Sequence, residues 1–266
     1  MIRRLAPLSI GAVLVLAVGS GARAHAGPDP FPFERGGPLG EGLPNLVPIA
    51  PRDIGMGPTD EGDGRAIRFT SSTANLGDFS LELAGIPDTE SPESAAMQCI
   101  TWPADRVCGS YQKVGTFVYH EAHAHYHFED FALYELRKLR KGKPDMRREG
   151  LVAPSTKASF CLIDSSPAGP SRGPLYDVPY PLYASCLAGT PNGGFAGVQG
   201  ISAGWMDTYA SGLPGQQIPI AGVPSGRYAI VVTTDPENRL FESNEDDNIA
   251  FTRVAILKGG ATAAER

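Results

Sequence analysis

The chain is 266 residues long, rich in glycine (32) and proline (24), with a formal net charge of −6. That acidic balance argues against nucleic acid as a partner, because phosphates select basic faces. The near absence of apolar residues at helical spacing argues against a helical bundle. Taken in chain order, residues 1–26 read as a secretory signal peptide. Arg3 and Arg4 give a positive start, Leu8 to Val18 is apolar, and small-x-small cleavage sites follow at Ala22-Arg23-Ala24 and Ala24-His25-Ala26. The apolar run is shorter than the ~20 residues a bilayer span needs, and no later stretch exceeds it. The expectation is an exported protein, secreted or periplasmic, with no membrane span.

Residues 27–44 are a Pro/Gly-rich linker, extended in character. Runs of β-branched and aromatic residues follow at 45–50, 66–72, 79–84, 115–120, 128–136, 158–163, 228–234 and 250–257, separated by turn signals. This pattern predicts a mainly β fold, an antiparallel β-sandwich with long loops and little helix, over 45–258. Residues 165–204 read as one long Gly/Pro/Ser loop, of a size that is more often functional than idle. Residues 259–266 read as a flexible tail. Seven basic residues between 137 and 148 surround Gly142-Lys143-Pro144, a solvated hairpin tip. The four cysteines suit an oxidising compartment, and proximity pairs Cys99 with Cys108 and Cys161 with Cys186.

Four of the five histidines fall within 120–127: His120, His123, His125 and His127. Three alternating imidazoles at 123, 125 and 127 share one face of a strand and suit copper, zinc or iron. At ~3.3 Å per residue, His123 and His127 stand roughly 13 Å apart on a flat strand, so one shared ion requires the segment to bend. His120 falls on the opposite parity and is expected to support the site rather than ligate. HExxH is not satisfied, and a cupin would need a histidine beyond His127, which the chain lacks. Zinc on three histidines remains open. Cleavage after Ala24 would also make His25 an N-terminal copper brace.

With these segments in view, the sequence resembles the lysyl oxidase family, and does so in several places. The family's H-x-x-H-x-H-Y-H is met by His120 to His127, and its K-A-S-F-C-L-x-D by Lys157 to Asp164. Its Q-G-[LI]-S-x-G-x-x-D-T-Y is met by Gln199 to Tyr209, and Gly226, Tyr228 and Ile230 lead to Asp235-Pro236 and Glu242-Ser243. The resemblance runs from about residue 45 to 255, and the compact core is of the bacterial type. It implies copper on His123, His125 and His127, and a lysine tyrosylquinone cofactor built from Lys157 and Tyr209. It implies oxidative deamination of a primary amine or a peptidyl lysine by molecular oxygen, giving aldehyde, hydrogen peroxide and ammonia. Asp207, two residues before Tyr209 on the same face of an extended chain, is a candidate general base.

Glu242, Asn244, Asp247 and Asn248 supply hard oxygen donors suited to calcium. By the resemblance, Asn45-Leu46 stands at the Asp-Leu that joins such a site, and Asn244 replaces an acidic residue. Ala122 stands where animal members carry a disulfide cysteine. Two other functions compete with the amine oxidase: a calcium-stabilised β-sandwich binding module without activity, and a zinc hydrolase on the same three histidines.

Overall fold

A computed structural model describes residues 43–62, 64–87, 93–101, 108–121, 123–154, 156–168, 181–186, 194–257 and 260–263. The expected signal peptide, nearly all of the linker and the last three residues lie outside the described residues. The side chain of Lys157 is likewise outside them.

The elements are almost all strands. The first five are β1 Leu46–Pro58, β2 Arg65–Asn75, β3 Leu81–Pro87, β4 Ser94–Thr101 and β5 Ser110–His120. Next come β6 His125–Arg140, β7 Lys143–Pro144, β8 Thr156–Phe160, β9 Ser166–Pro167 and β10 Val198–Ile201. The chain ends with β11 Trp205–Tyr209, β12 Gln217–Pro219, β13 Gly226–Thr234, β14 Ile249–Leu257 and β15 Gly260–Ala263. A single 3-10 turn, Arg148–Gly150, is the helical element among the described residues. The mainly β, antiparallel expectation therefore holds.

Two sheets form. The smaller runs β1-β2-β11-β9, with β12 also on β2; the larger runs β10-β3-β4-β5-β6-β13-β14-β15, with β7 and β8 also on β6. The reason for each central strand is legible in its residues. β2 (RAIRFTSSTAN) is buried along almost its whole length because it pairs with β1, β11 and β12. In β13 the run Ala229 to Val232 is apolar without alternation, as fits a strand paired on both edges, here to β6 and β14. Between the sheets, Phe69 of β2 meets Tyr134 of β6 edge-on at 4.9 Å. The Tyr134 hydroxyl, wholly buried, is satisfied by Ser71 at 2.7 Å and by the Gln216 amide at 3.0 Å. Under β5 and β6, Phe117 packs on Phe128 (5.9 Å) and Phe195 (4.6 Å). Two disulfides form, Cys99–Cys108 and Cys161–Cys186, as proximity in sequence suggests.

Three expectations are corrected. β4 and β10–β12 are strands that no apolar alternation announces; they are short or Gly/Gln-containing and owe their extension to neighbours already in place. The stretch 165–204 is not one loop, since β9 and β10 lie within it. The tail is not free throughout, because β15 pairs with β14 from Val254↔Ala263 to Leu257↔Gly260.

Phe117 is fully buried. Replacing it by alanine removes two aromatic contacts, and Phe117→Ala is expected to lower unfolding free energy by about 3–5 kcal/mol. Chemical denaturation of both proteins reads this directly; a loss below about 1 kcal/mol would show that this part of the core is not as tightly packed as described.

Candidate active site

The histidines sit where β5 turns into β6. His120 closes β5, His125 opens β6, and the two are cross-strand partners. The connection is tight: the amides of His123 and Ala124 both donate to the His120 carbonyl, at 3.0 and 2.9 Å. Ala124 takes a left-handed conformation, φ +55°. His123 is thus in the turn and not on the strand, which supplies the bend that a shared ion demands. His123 Nδ1 lies 3.2 Å from His127 Nε2, and His127 Nε2 lies 3.0 Å from His125 Nε2. The flat-strand spacing of the sequence reading is abolished by the turn.

His120 joins the cluster as well. Its ring stacks on His127 at 4.6 Å and on His123 at 4.9 Å. Ligating atoms of His120, His123 and His127 fall within 4.8 Å of one another. Strand parity does not place this residue, because parity does not carry across a turn: His120 belongs to the other strand of the hairpin. His127, 5% exposed, has a buried Nδ1 with no hydrogen-bond partner. Burial, then the neighbouring imidazoles of His120, His125 and His123, push its pKa down to about 3. Burial followed by neighbouring imidazoles lowers His123 and His125 also. Neutral imidazoles are the protonation state that metal ligation needs.

Cys161 connects this cluster to the second candidate group. Its sulfur and that of Cys186 lie within 4.8 Å of a His125 ring nitrogen. Both sulfurs are tied up in the disulfide and are not free thiolate donors. The carbonyl of Cys161 accepts a 2.5 Å hydrogen bond from the Tyr209 hydroxyl. Tyr209 comes from β11 of the smaller sheet, and its ring lies 4.0 Å from that of Phe160 in β8. Lys157 belongs to the same β8, its backbone opposite Leu133 of β6. Phe160 is three residue steps along the strand from Lys157, about 10 Å of chain.

Asp207 lies two residues before Tyr209, 2% exposed, and neighbours the Tyr209 hydroxyl. Its Oδ1 accepts from Ser165 Oγ at 3.0 Å, while its buried Oδ2 completes no hydrogen bond of normal geometry. Burial raises the Asp207 pKa to about 8, and burial followed by the adjacent Asp207 raises that of Tyr209. Both residues line a cavity of about 10 Å³, room for about one water. Sequence reasoning missed the group that steadies this region, Asp164. It accepts from the Ser202 amide and hydroxyl and from the amides of Leu182 and Tyr183. Its D in the family segment was visible, but its partners lie up to 38 residues away.

The oxygen-rich site also assembles. Glu242 accepts from the Leu46 amide at 2.5 Å and from Asn248 Nδ2 at 3.0 Å, and Asn45 Nδ2 donates to Asp247 at 3.2 Å. Three buried oxygens here lack any donor: Asn45 Oδ1, Asp247 Oδ1 and Asn248 Oδ1. Orphan hard oxygens around a buried carboxylate are what a calcium ion satisfies, so the residues fit that ion. Asn244 is different: it is exposed, and its Oδ1 is engaged by the Asp246 amide at 3.2 Å. Glu245 and Asp235, not anticipated, bring carboxylates within 4.8 Å of Glu242. Burial, with the like charges of Glu245 and Asp235, raises the Glu242 pKa to about 8.

The described residues thus form two antiparallel sheets with an imidazole cluster at one hairpin that could hold a metal ion, and a buried tyrosine–carboxylate pair on the smaller sheet. The chain belongs to the lysyl oxidase family, whose profile matches residues 108–263. It is 33% identical over 137 residues to rat protein-lysine 6-oxidase, covering 51% of this chain and 28% of that protein. It is 32% identical over 140 residues to mouse lysyl oxidase homolog 4, covering 52% of this chain and 15% of that one. Cattle lysyl oxidase homolog 2 is 30% identical over 139 residues, with shares of 52% and 15%. The match thus spans less than a third of these curated relatives.

The oxygen site makes a pH-dependent expectation. Burial pushes the Glu242 carboxyl in the folded protein to about 8, well above its ordinary value of 4.5, so the unfolded chain releases this proton first. Its contribution to stability is complete below about pH 4.5 and declines as pH rises towards 8. Asp207 contributes in the same sense. Millimolar calcium should favour the Glu242 carboxylate and remove part of the decline; Glu242→Gln should remove that same part and abolish the calcium effect. Thermal melts from pH 5 to pH 8 that are indifferent to calcium would exclude the site.

Proposed function

We propose that this protein is a copper-dependent amine oxidase of the lysyl oxidase type. It would oxidise a primary amine or a peptidyl lysine, with dioxygen and water, to an aldehyde, ammonia and hydrogen peroxide. The observation that carries this reading is the junction at Cys161, which lies beside the imidazole cluster and accepts the Tyr209 hydroxyl. The names of the relatives support it, since one is a protein-lysine 6-oxidase.

His123, His125 and His127 would hold the copper, with His120 as a neighbouring imidazole. Lys157 and Tyr209 would form the lysine tyrosylquinone. Copper with dioxygen supplies the oxidising power, and the quinone supplies the electrophilic carbonyl that ordinary side chains lack. The chain's own groups manage protons. The Tyr209 phenol is held in its protonated form by burial and by the adjacent Asp207. Asp207, with a pKa near 8, is matched to accept a proton near neutral pH from the substrate carbon. Lys157 acts only as the free amine, a state that an apolar setting or a nearby cation encourages. Calcium at Asn45, Leu46, Glu242, Asp247 and Asn248 would brace the start of β1 against the turn before β14. Asn244 is a candidate only from outside that group.

Among the described residues no helix is long and apolar enough to cross a membrane. The two disulfides favour an exported, secreted or periplasmic setting.

Aerobic copper loading followed by peptide mapping tests the proposal. The expected product is a covalent Lys157–Tyr209 peptide together with amine-dependent peroxide; absence of both would sink it. Zinc-dependent turnover without oxygen would favour a hydrolase instead. For Asp207, Asp207→Asn should cut kcat by about 10²–10⁴ with the quinone absorbance intact. Full turnover in that variant ends its role as base.

A further inference from the structure

The chain is acidic overall, yet seven of its 23 basic residues lie between 137 and 148. They occupy the β6–β7 hairpin and the segment that follows. The turn is Lys141-Gly142, with φ of +50° and +78°, the two-residue geometry whose twist matches its flanking strands. Arg253 of β14 donates to the Gly142 carbonyl at 2.8 Å and pins the tip. The tip is thus a held structure and not a waving loop.

Two of the seven cations are spent internally. Arg137 forks onto Glu135 at 2.7 and 2.8 Å, and Arg147 pairs with Asp145 at 2.6 Å and Glu149 at 2.8 Å. Lys138, Arg140, Lys141, Lys143 and Arg148 are exposed and form no ion pair among the described residues. Arg140, Lys141, Lys143 and Arg147 line an open groove of about 630 Å³, together with Pro144, Met146 and Asp145, whose carboxylate is paired with Arg147. Met146 is 46% exposed there, an apolar side chain amid cations.

We propose that this groove docks an acidic polypeptide segment, a run of Asp or Glu side chains with an apolar residue among them. Guanidinium forks and ammonium groups match carboxylates, and Met146 with Pro144 offers an apolar floor. Sulfated sugar polymers bring no apolar side chain to such a floor, and a flat lipid surface does not enter a concavity. The location suits an anchor. β6 carries the histidine cluster at His125 and the groove at Arg140, so about 50 Å of strand separates them and docking leaves the histidine end uncovered. The inference stands apart from the amine oxidase reading, because binding is measured without turnover.

The test is fluorescence anisotropy of the full chain with the labelled peptide Glu-Glu-Leu-Glu-Glu-Leu-Glu-Glu. Binding is expected to weaken as salt rises from about 50 to about 300 mM. It should fall about tenfold in the Arg140→Ser/Lys143→Ser variant, which leaves the Arg137 and Arg253 contacts in place. Replacing both leucines of the peptide by serine should weaken it further. Equal affinity of wild type and variant would overturn the proposal. So would competition in which dextran sulfate or phosphatidylserine vesicles bind the groove and the peptide does not.

Discussion

The backbone at Ala124 sets the geometry on which the candidate site depends. A strand can carry three alternating histidines on one face, but its rise holds the outer two too far apart to share an ion. The hairpin resolves this by ending β5 at His120, turning through a left-handed alanine, and starting β6 at His125. His123 is thereby folded back towards His127. The same turn brings His120 over the His127 ring. One conformation therefore converts a linear motif into a convergent set of four imidazoles, and burial of His127 keeps the central ring neutral.

The second constraint is the meeting of the two sheets. Tyr209 and Asp207 lie on β11 of the smaller sheet, while the larger sheet carries His120 at the end of β5, His125 and His127 on β6 and Lys157 on β8. Cys161, just after β8, is where these groups approach: its carbonyl holds the Tyr209 hydroxyl and its disulfide flanks His125. Asp164, a few residues on, fastens this segment to Ser202, just after β10, and to the stretch around Tyr183. Packing between sheets, set by contacts such as Phe69 with Tyr134, thus fixes chemistry as well as stability.

Much of this was legible in the sequence, and the residue patterns explain why. Alternating β-branched and aromatic runs marked the long strands, because a half-buried strand must alternate. The paired cysteines were readable from short separations, and the histidine cluster from its density. What escaped notice depends on contacts distant in the chain. β11 carries Asp207 and Tyr209 yet shows little apolar alternation; it is a strand because β2 pairs with it. The nearness of His120 to His127 comes from the hairpin, which strand parity does not describe. The local turn that engages Asn244, whose Oδ1 accepts from the Asp246 amide, was not legible either. Glu245 and Asp235 join the oxygen cluster only through folding.

The central claim is that the left-handed turn assembles the histidine site, and Ala124 tests it most directly. Ala124 is exposed, so a larger side chain there meets no core, and the substitution reports on backbone conformation. Glycine adopts a positive φ freely, whereas a β-branched residue resists it. Copper affinity of the apo protein, measured by competition with a chelator, should be unchanged in Ala124→Gly and about tenfold weaker or more in Ala124→Val. Equal, undiminished copper affinity in both variants would contradict the account, because the imidazoles would then converge without the turn.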